Sequence, residues 1–247
     1  MDSLTFISDI CGQLKKLKRT GWVRHNIPLP ESDSDHMHRC AMCALLLTQP
    51  PDPRDDYSSP SNQKFHPSKI NTTKLLRMAV THDLCESIAG DITPHCDSGL
   101  IASKYDKEEE AMKKIREIVG DPLGLELFEL WKEYEEQETA EALYCKDIDK
   151  FEMIVQGYEY EKEHLQHKQK VDESNGDESD EKRQKIKEEE AHKKDVRNEP
   201  LRGFFVSTNK AIKSPLFRRL DKELRERREV MLQEKGWSVT EEERQRD

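Results

Sequence analysis

Val80-Thr81-His82-Asp83-Leu84-Cys85-Glu86 sets a histidine, an aspartate and a glutamate inside an apolar run that extends from Leu75 to Ala89. The run contains no Pro or Gly and reads as a buried helix. On such a helix Glu86 lies one turn beyond His82 and Asp83, so the three can address one site. A buried carboxylate costs several kcal/mol unless it is paired or coordinates a metal. A histidine beside an aspartate offers one neutral nitrogen and one anionic oxygen, a mixed set suited to a divalent cation. The plain alternative is a core histidine bonded to its neighbour, with a capping acid near Gly90. For an isolated His-Asp pair that alternative is the commoner one, so the rest of the chain has to decide.

The 247 residues suffice for one domain with a sizeable core or two small ones. Charged residues, at 37%, outnumber hydrophobic ones, at 34%, so part of the chain is expected to stay unfolded. A net charge of -10 argues against a nucleic-acid polymer as partner. No apolar run approaches the length of a membrane span, and the acidic start, with Asp2 and Asp9, is not a signal peptide. The six cysteines lack the spacing of a disulfide scaffold, which implies an intracellular setting, cytoplasmic with the nucleus left open. Cys40 and Cys43 form a CxxC without the second pair that structural zinc requires, and read as two small core residues one turn apart.

Working outward, residues 3–18 place Leu4, Ile7, Cys11, Leu14 and Leu17 at helical spacing. Arg19-Thr20-Gly21-Trp22 breaks that helix, and 23–30 is a loop. Ser32-Asp33-Ser34-Asp35 supplies N-cap chemistry for a helix with His36 in its first turn and Met37, Cys40, Ala41, Ala44 and Leu45 on one stripe. The five prolines of 49–69 mark a mobile loop insertion. Beyond the His82 helix, which Gly90 stops, 94–105 reads as irregular. Helices follow from Asp106, from Asp121-Pro122, and over Glu138 to about Glu161. Residues 162–200 lack aromatics and an apolar stripe and read as a charged, disordered segment. Helical pattern returns over 201–237, and 238–247 is a tail. The expected fold is therefore all-α: one domain built from 1–161 plus 201–237.

Taken together, His36, His82-Asp83, Glu86 and the Asp147/Asp149 pair give the order H…HD…D across a helical chain. This order resembles the HD-domain metal-dependent phosphohydrolases, and most of all their 5'-deoxynucleotidase branch. The matching motifs are Arg19-Thr20-Gly21-Trp22, Glu31-Ser32-x-Ser34-Asp35-His36-Met37, His82-Asp83-x-x-Glu86 with Gly90-Asp91-Ile92-Thr93-Pro94, and Lys146-x-x-Asp149-x-x-Glu152-Met153. The resemblance covers about residues 4–161 and, more weakly, 201–225.

The resemblance implies an HD-domain helical bundle and a metal held by His36, His82, Asp83 and Asp149. Two imidazoles and two carboxylates without a thiolate suit Mn, Co, Fe or Mg and leave positions for water and a phosphate oxygen. It also implies that Glu86 is the catalytic acid–base group, that Arg19, Trp22 and Asp91 meet the nucleotide, and that the chain is a homodimer. Trp22 as a core plug and Asp91 as a helix cap remain the bland alternatives. One conflict is internal: at about 100° per residue the apolar stripe of the 138–161 helix centres nearer Asp147 than Asp149, whereas the family register selects Asp149. The implied activity is hydrolysis of deoxyribonucleoside 5'-monophosphates. The alternatives are an HD phosphohydrolase acting on a triphosphate or cyclic nucleotide, and a non-catalytic helical scaffold with a structural metal.

Overall fold

The computed structural model describes residues 2–168 and 195–245. Among them the one β-type pairing is an isolated bridge between Lys18 and Ser32, and the architecture is all-helical. Six helices of eight residues or more carry it: α1 (Asp33–Ala44), α2 (Thr72–Ala79), α3 (Lys104–Val119), α4 (Leu123–Glu136), α5 (Ala140–His164) and α6 (Pro215–Glu234). The long α5 is central and packs against α1, α2, α4 and α6. Its polar residues Glu141, Asp147, Glu152, Gln156 and Glu161 are buried together with its apolar ones, as befits a helix surrounded by others.

Two apolar clusters flank the site. One joins Cys40, Leu75, Met78, Tyr144, Ile148, Phe205 and Phe217. The other joins Ile10, Leu14, Met37, Leu84, Met112, Ile115 and Trp131. Helix α1 contributes Cys40 to the first and Met37 to the second, so it is buried on two faces. Its start is fixed by a capping box: Ser32 Oγ accepts from Asp35 N at 3.2 Å, and Asp35 Oδ2 accepts from Ser32 N at 2.9 Å. That cap sets His36 in the first turn, fully buried.

Several expectations need correction. The helix expected over 75–89 ends at Ala79, and 80–85 are turns before a short helix, Glu86–Ala89. Thr81 Oγ1 donates to Arg77 O at 2.7 Å and His82 Nδ1 binds Ala79 O at 3.0 Å. These side chains offer the backbone an alternative to the regular ladder, which tightens to three-residue spacing at Leu84 N→Thr81 O and Glu86 N→Asp83 O. At the N-terminus the segments Ser3–Thr5, Phe6–Ile10 and Cys11–Leu14 run on, but the middle one is a π turn. Its wider winding shifts the phase of the apolar stripe. Leu4 and Ile7 are left exposed and Ile10 is buried instead, while Leu14 is buried as expected. Thr20–Arg24 and Ser98–Ala102 are short helices where loop was expected.

The 49–69 insertion is built into the fold. Pro60–Gln63 and Pro67–Lys69 are helical turns, Phe65 sits in the first core cluster, and Asp55 pairs with Arg219 of α6 at 2.7 Å. The segment expected as disordered over 162–200 is anchored at both ends. Helix α5 runs to His164, Leu165 packs with Met231, Leu232 and Val239, and Val196 is buried beside Trp22, Ile27 and Tyr160. Residues 169–194 of that expectation lie outside the described residues. The described part of the expected tail, 238–245, docks as well: Glu243, buried, accepts from Arg228, which also pairs with Glu161 at 2.6 Å. No helix among the described residues is long and apolar enough to cross a membrane.

Candidate metal centre and its cleft

His82 Nδ1 is engaged by the Ala79 carbonyl, so that nitrogen carries the proton. Its Nε2 is buried with no hydrogen-bond partner and stands 3.4 Å from Asp83 Oδ2. His36 is fixed in the same way from behind: Nδ1 lies 2.5 Å from Glu152 Oε2, leaving Nε2 3.4 Å from Asp149 Oδ1 and 3.7 Å from Asp83 Oδ2. Two imidazole nitrogens and two carboxylate oxygens from α1, the 80–85 turns and α5 are thus linked by successive separations of 3.4, 3.7 and 3.4 Å. The orphaned Nε2 of His82 is what a bound cation would satisfy, so the residues fit a divalent metal. Cys40 Sγ lies 3.7 Å from His36 Nε2. Burial pushes that thiol up to about 12, which keeps it neutral and a poor donor.

Charge balance maintains the donors in usable form. Burial alone would raise Asp149, but Lys146 and then His36 hold it well below the usual carboxylate range. Burial opposes ionisation of Asp83 too, and the Arg19 guanidinium at 3.2 Å helps outweigh it. Burial draws His82 below an ordinary imidazole, so its lone pair stays free. His36 departs the other way. Burial and Arg19 oppose its charge, yet the carboxylates of Glu152 and Asp149 carry it well above the ordinary value. In the metal-free chain these neighbours favour its protonated form, and a bound cation would displace that proton.

The point opens into a cleft of about 190 Å3 whose walls include Arg19, Asp83, Glu86, Asp91, Asp149 and Met153. Arg19 Nη1 reaches Asp83 at 3.2 Å, Asp33 at 3.8 Å and Glu86 at 4.0 Å. Glu86 is buried, with Oε2 lacking a hydrogen-bond partner, and burial first, then Asp83 and Asp91, push its carboxyl well above the usual range. Asp33, Glu86 and Asp91 bring carboxylate oxygens within 4.8 Å of one another, a second group of hard donors beside the first.

The placement of the expected residues is mixed. His36, His82, Asp83, Asp149, Glu86, Arg19 and Asp91 are brought together. Asp91 also has a structural duty: its Oδ2 accepts from Thr20 N at 2.6 Å, at the start of Thr20–Arg24 rather than on the helix that precedes it. Trp22 is corrected. Its indole is 2% exposed, packs on Tyr160 and Phe204, donates to Glu31 at 2.8 Å, and forms no wall of the cleft. Asp147 faces away. Its carboxylate accepts from Lys213 N and Ser214 N and holds the start of α6. His38 and His95 are exposed.

Sequence reasoning passed over Glu152, Asp33, Tyr134, Lys146, Lys104 and Glu108 as site residues. Tyr134 OH donates to Asp149 Oδ2 at 2.8 Å and accepts from Lys146 Nζ at 2.6 Å, which orients that carboxylate. Lys104, Glu108 and Glu135 also line the cleft. Glu152 and Lys146 stood within the quoted motif, three residues to either side of Asp149, and that spacing was the available signal.

A family model described as HD domain matches residues 11–192. The protein named 5'-deoxynucleotidase HDDC2 of Dictyostelium discoideum is 46% identical over 162 residues, 66% of this chain and 80% of that protein. The human protein of the same name is 42% identical over 159 residues, 64% of this chain and 68% of its own. Among solved structures, a predicted metal-dependent phosphohydrolase from Magnetospirillum magnetotacticum covers 97% of this chain and 95% of its own with a TM-score of 0.58. At 18% identity that likeness speaks to the fold alone.

Proposed function

The chain belongs to the HD-domain family, and on that footing we propose that it is a metal-dependent 5'-deoxynucleotidase, hydrolysing deoxyribonucleoside 5'-monophosphates to deoxynucleoside and phosphate. The observation that supports this is that His36 Nε2 lies 3.4–3.7 Å from Asp149 and Asp83, and that Asp83, Asp149 and His82 line a cleft. The names of the relatives, 5'-deoxynucleotidases, support the substrate class.

His36, His82, Asp83 and Asp149 would hold a divalent cation, for which two nitrogen and two oxygen donors suit Mn, Co, Fe or Mg. When bound, the cation would polarise the phosphate and acidify water. The remaining work falls to side chains. Arg19 supplies a guanidinium for the phosphate oxygens, already turned toward the carboxylates of the site. Glu86 takes a proton from the water whose oxygen adds to phosphorus, and returns one to the O5' oxygen as the P–O5' bond breaks. Burial, then Asp83 and Asp91, raise its affinity for a proton, a property suited to accepting one from the water. Tyr134 and Lys146 orient Asp149, and Glu152 orients His36. Asp91 remains the candidate for a sugar hydroxyl. Trp22 has no place in the substrate site. An intracellular homodimer completes the proposal.

The test is phosphate release from a panel of deoxyribonucleoside monophosphates, with and without added Mn2+, beside a triphosphate and a cyclic nucleotide. Metal-dependent release from the monophosphates is expected. A metal-loaded chain that releases phosphate from none of them would remove the proposal, and release from the triphosphate alone would move the activity to that class.

A further inference from the structure

Arg19, Lys104 and Lys146 all line the cleft. Two of them are already engaged. Arg19 is shared among Asp83, Asp33 and Glu86. Lys146 donates to Tyr134 OH at 2.6 Å and stands 3.4 Å from Asp149. Lys104, the first residue of α3, has one carboxylate within ion-pair distance, Glu108 at 3.4 Å, one turn further along its own helix.

That pair is unlike the others on the same helix. Lys113–Glu109 and Lys114–Glu110 are solvated i,i+4 pairs, whereas the Glu108 side chain is 3% exposed against 42% for Lys104. An i,i+4 pair contributes little to helix stability, far less than sinking a carboxylate costs. Helix stability therefore does not account for Glu108. Its position does have a use: a fixed buried acid holds a long, flexible ammonium at the rim of the cleft. Burial first pushes Glu108 up to about 7, and Lys104 opposes that rise. On the Lys104 side, burial is outweighed by Glu108, Glu86 and Asp83, so the ammonium stays charged and feels the carboxylates of the site.

A phosphate monoester enters as a dianion, into a site crowded with Asp83, Glu86, Asp91 and Asp149. Beyond any bound cation and Arg19 it calls for a further positive charge whose own counter-ion is none of those four carboxylates, as holds for Lys104 with Glu108. We infer that Lys104, held toward the cleft by Glu108, is a second cation beside Arg19 that takes a non-bridging oxygen of the substrate's terminal phosphate and so favours monoester dianions. The inference rests on the nucleotidase reading above, and it deepens that reading by naming a residue outside the HD motifs.

The full chain loaded with Mn2+ tests it, as wild type, Lys104→Met, Lys104→Arg and Glu108→Gln. Mn2+ affinity and inorganic-phosphate affinity are measured by calorimetry, and KM and kcat with dAMP. Lys104→Met is expected to weaken phosphate binding and raise KM by roughly ten- to a hundredfold, the scale of a charge-assisted hydrogen bond, with Mn2+ affinity within about twofold. Lys104→Arg is expected to recover most of the loss, and Glu108→Gln to fall between. Unchanged phosphate affinity in Lys104→Met, or phosphate and Mn2+ binding lost together, would overturn the assignment. The phosphate titration does not require turnover. A wild type that binds Mn2+ and phosphate but leaves dAMP intact refutes the nucleotidase reading, while a phosphate loss in Lys104→Met still supports the anion role.

Discussion

Asp147 and Asp149 stand two residues apart on α5, and replacing each by Asn separates a fold-holding acid from a candidate ligand. Asp147 binds two backbone amides with both oxygens: Lys213 N at 3.0 Å from each, and Ser214 N at 2.6 Å from Oδ2. An Asn puts an NH2 donor where one of those acceptors stood, so one buried amide loses its partner. A cost of about 2 kcal/mol is expected, which in a chain of this size lowers Tm by about 4–8 °C. Mn2+ affinity should stay within about twofold, because Asp147 faces away from the imidazoles. Asp149→Asn removes an anionic donor aimed at His36 Nε2. Loss of an outer partner alone weakens a metal site by about 10–100-fold, so loss of this oxygen should exceed the upper end. Calorimetric Mn2+ titration and thermal melts of the metal-free variants give both readouts. If Asp147→Asn proved the more damaging to Mn2+ binding, the ligand set would have to be redrawn around Asp147.

Four further outcomes are expected. Glu86→Gln should keep the metal and lose kcat by roughly 10²-fold, whereas Asp83→Ala should lose both; equal metal loss in the two would make Glu86 a ligand. Trp22→Phe should lower Tm by leaving buried Glu31 without its indole donor, yet leave the dAMP-to-AMP ratio of kcat/KM unchanged; a narrowed ratio would return Trp22 to the sugar site. Leu165→Ala should cost about 2–4 kcal/mol, since Leu165 is 3% exposed against Met231, Leu232 and Val239; a loss below about 0.5 kcal/mol, the surface range, would return 162–168 to the unstructured class. In the metal-free chain, Glu108 faces Lys104, Glu135 and Asp83 and holds its proton up to about 7 against 4.5 unfolded. The folded state then binds the extra proton, so stability falls as pH rises from about 4.5 to 7. Urea midpoints at pH 5 and 7 should shift more in the wild type than in Glu108→Gln, and equal shifts would show that Glu108 does not titrate in that window.

Most of the candidate metal site was legible because its residues form local motifs: His82-Asp83 adjoin, His36 follows N-cap residues, and the family register selects Asp149. Choosing Asp149 over Asp147 was not legible from periodicity. A helix buried on several faces, as α5 is with Glu141, Asp147, Glu152 and Glu161 all inside, has no single apolar phase to consult. The 162–200 segment misled in another way. Composition averages over a stretch, while anchoring needs only Leu165 at one end and Val196 at the other, and both sit among charged neighbours in sequence.

Arg19 and Trp22 show the limit most sharply. Three residues apart, they would share one side of a regular helix, and a shared role is then the natural inference. The backbone prevents it. Arg19 precedes the Thr20–Arg24 helix with ψ of 116°, outside helical geometry, and Trp22 lies within the helix. Asp91 fixes that break by accepting from Thr20 N. The guanidinium therefore turns to Asp83 and Glu86, and the indole to Tyr160, Phe204 and Glu31. A carboxylate 71 residues downstream decides which of two neighbouring side chains meets the cleft. Local spacing could not have supplied that, because the deciding contact is long-range and made to the backbone.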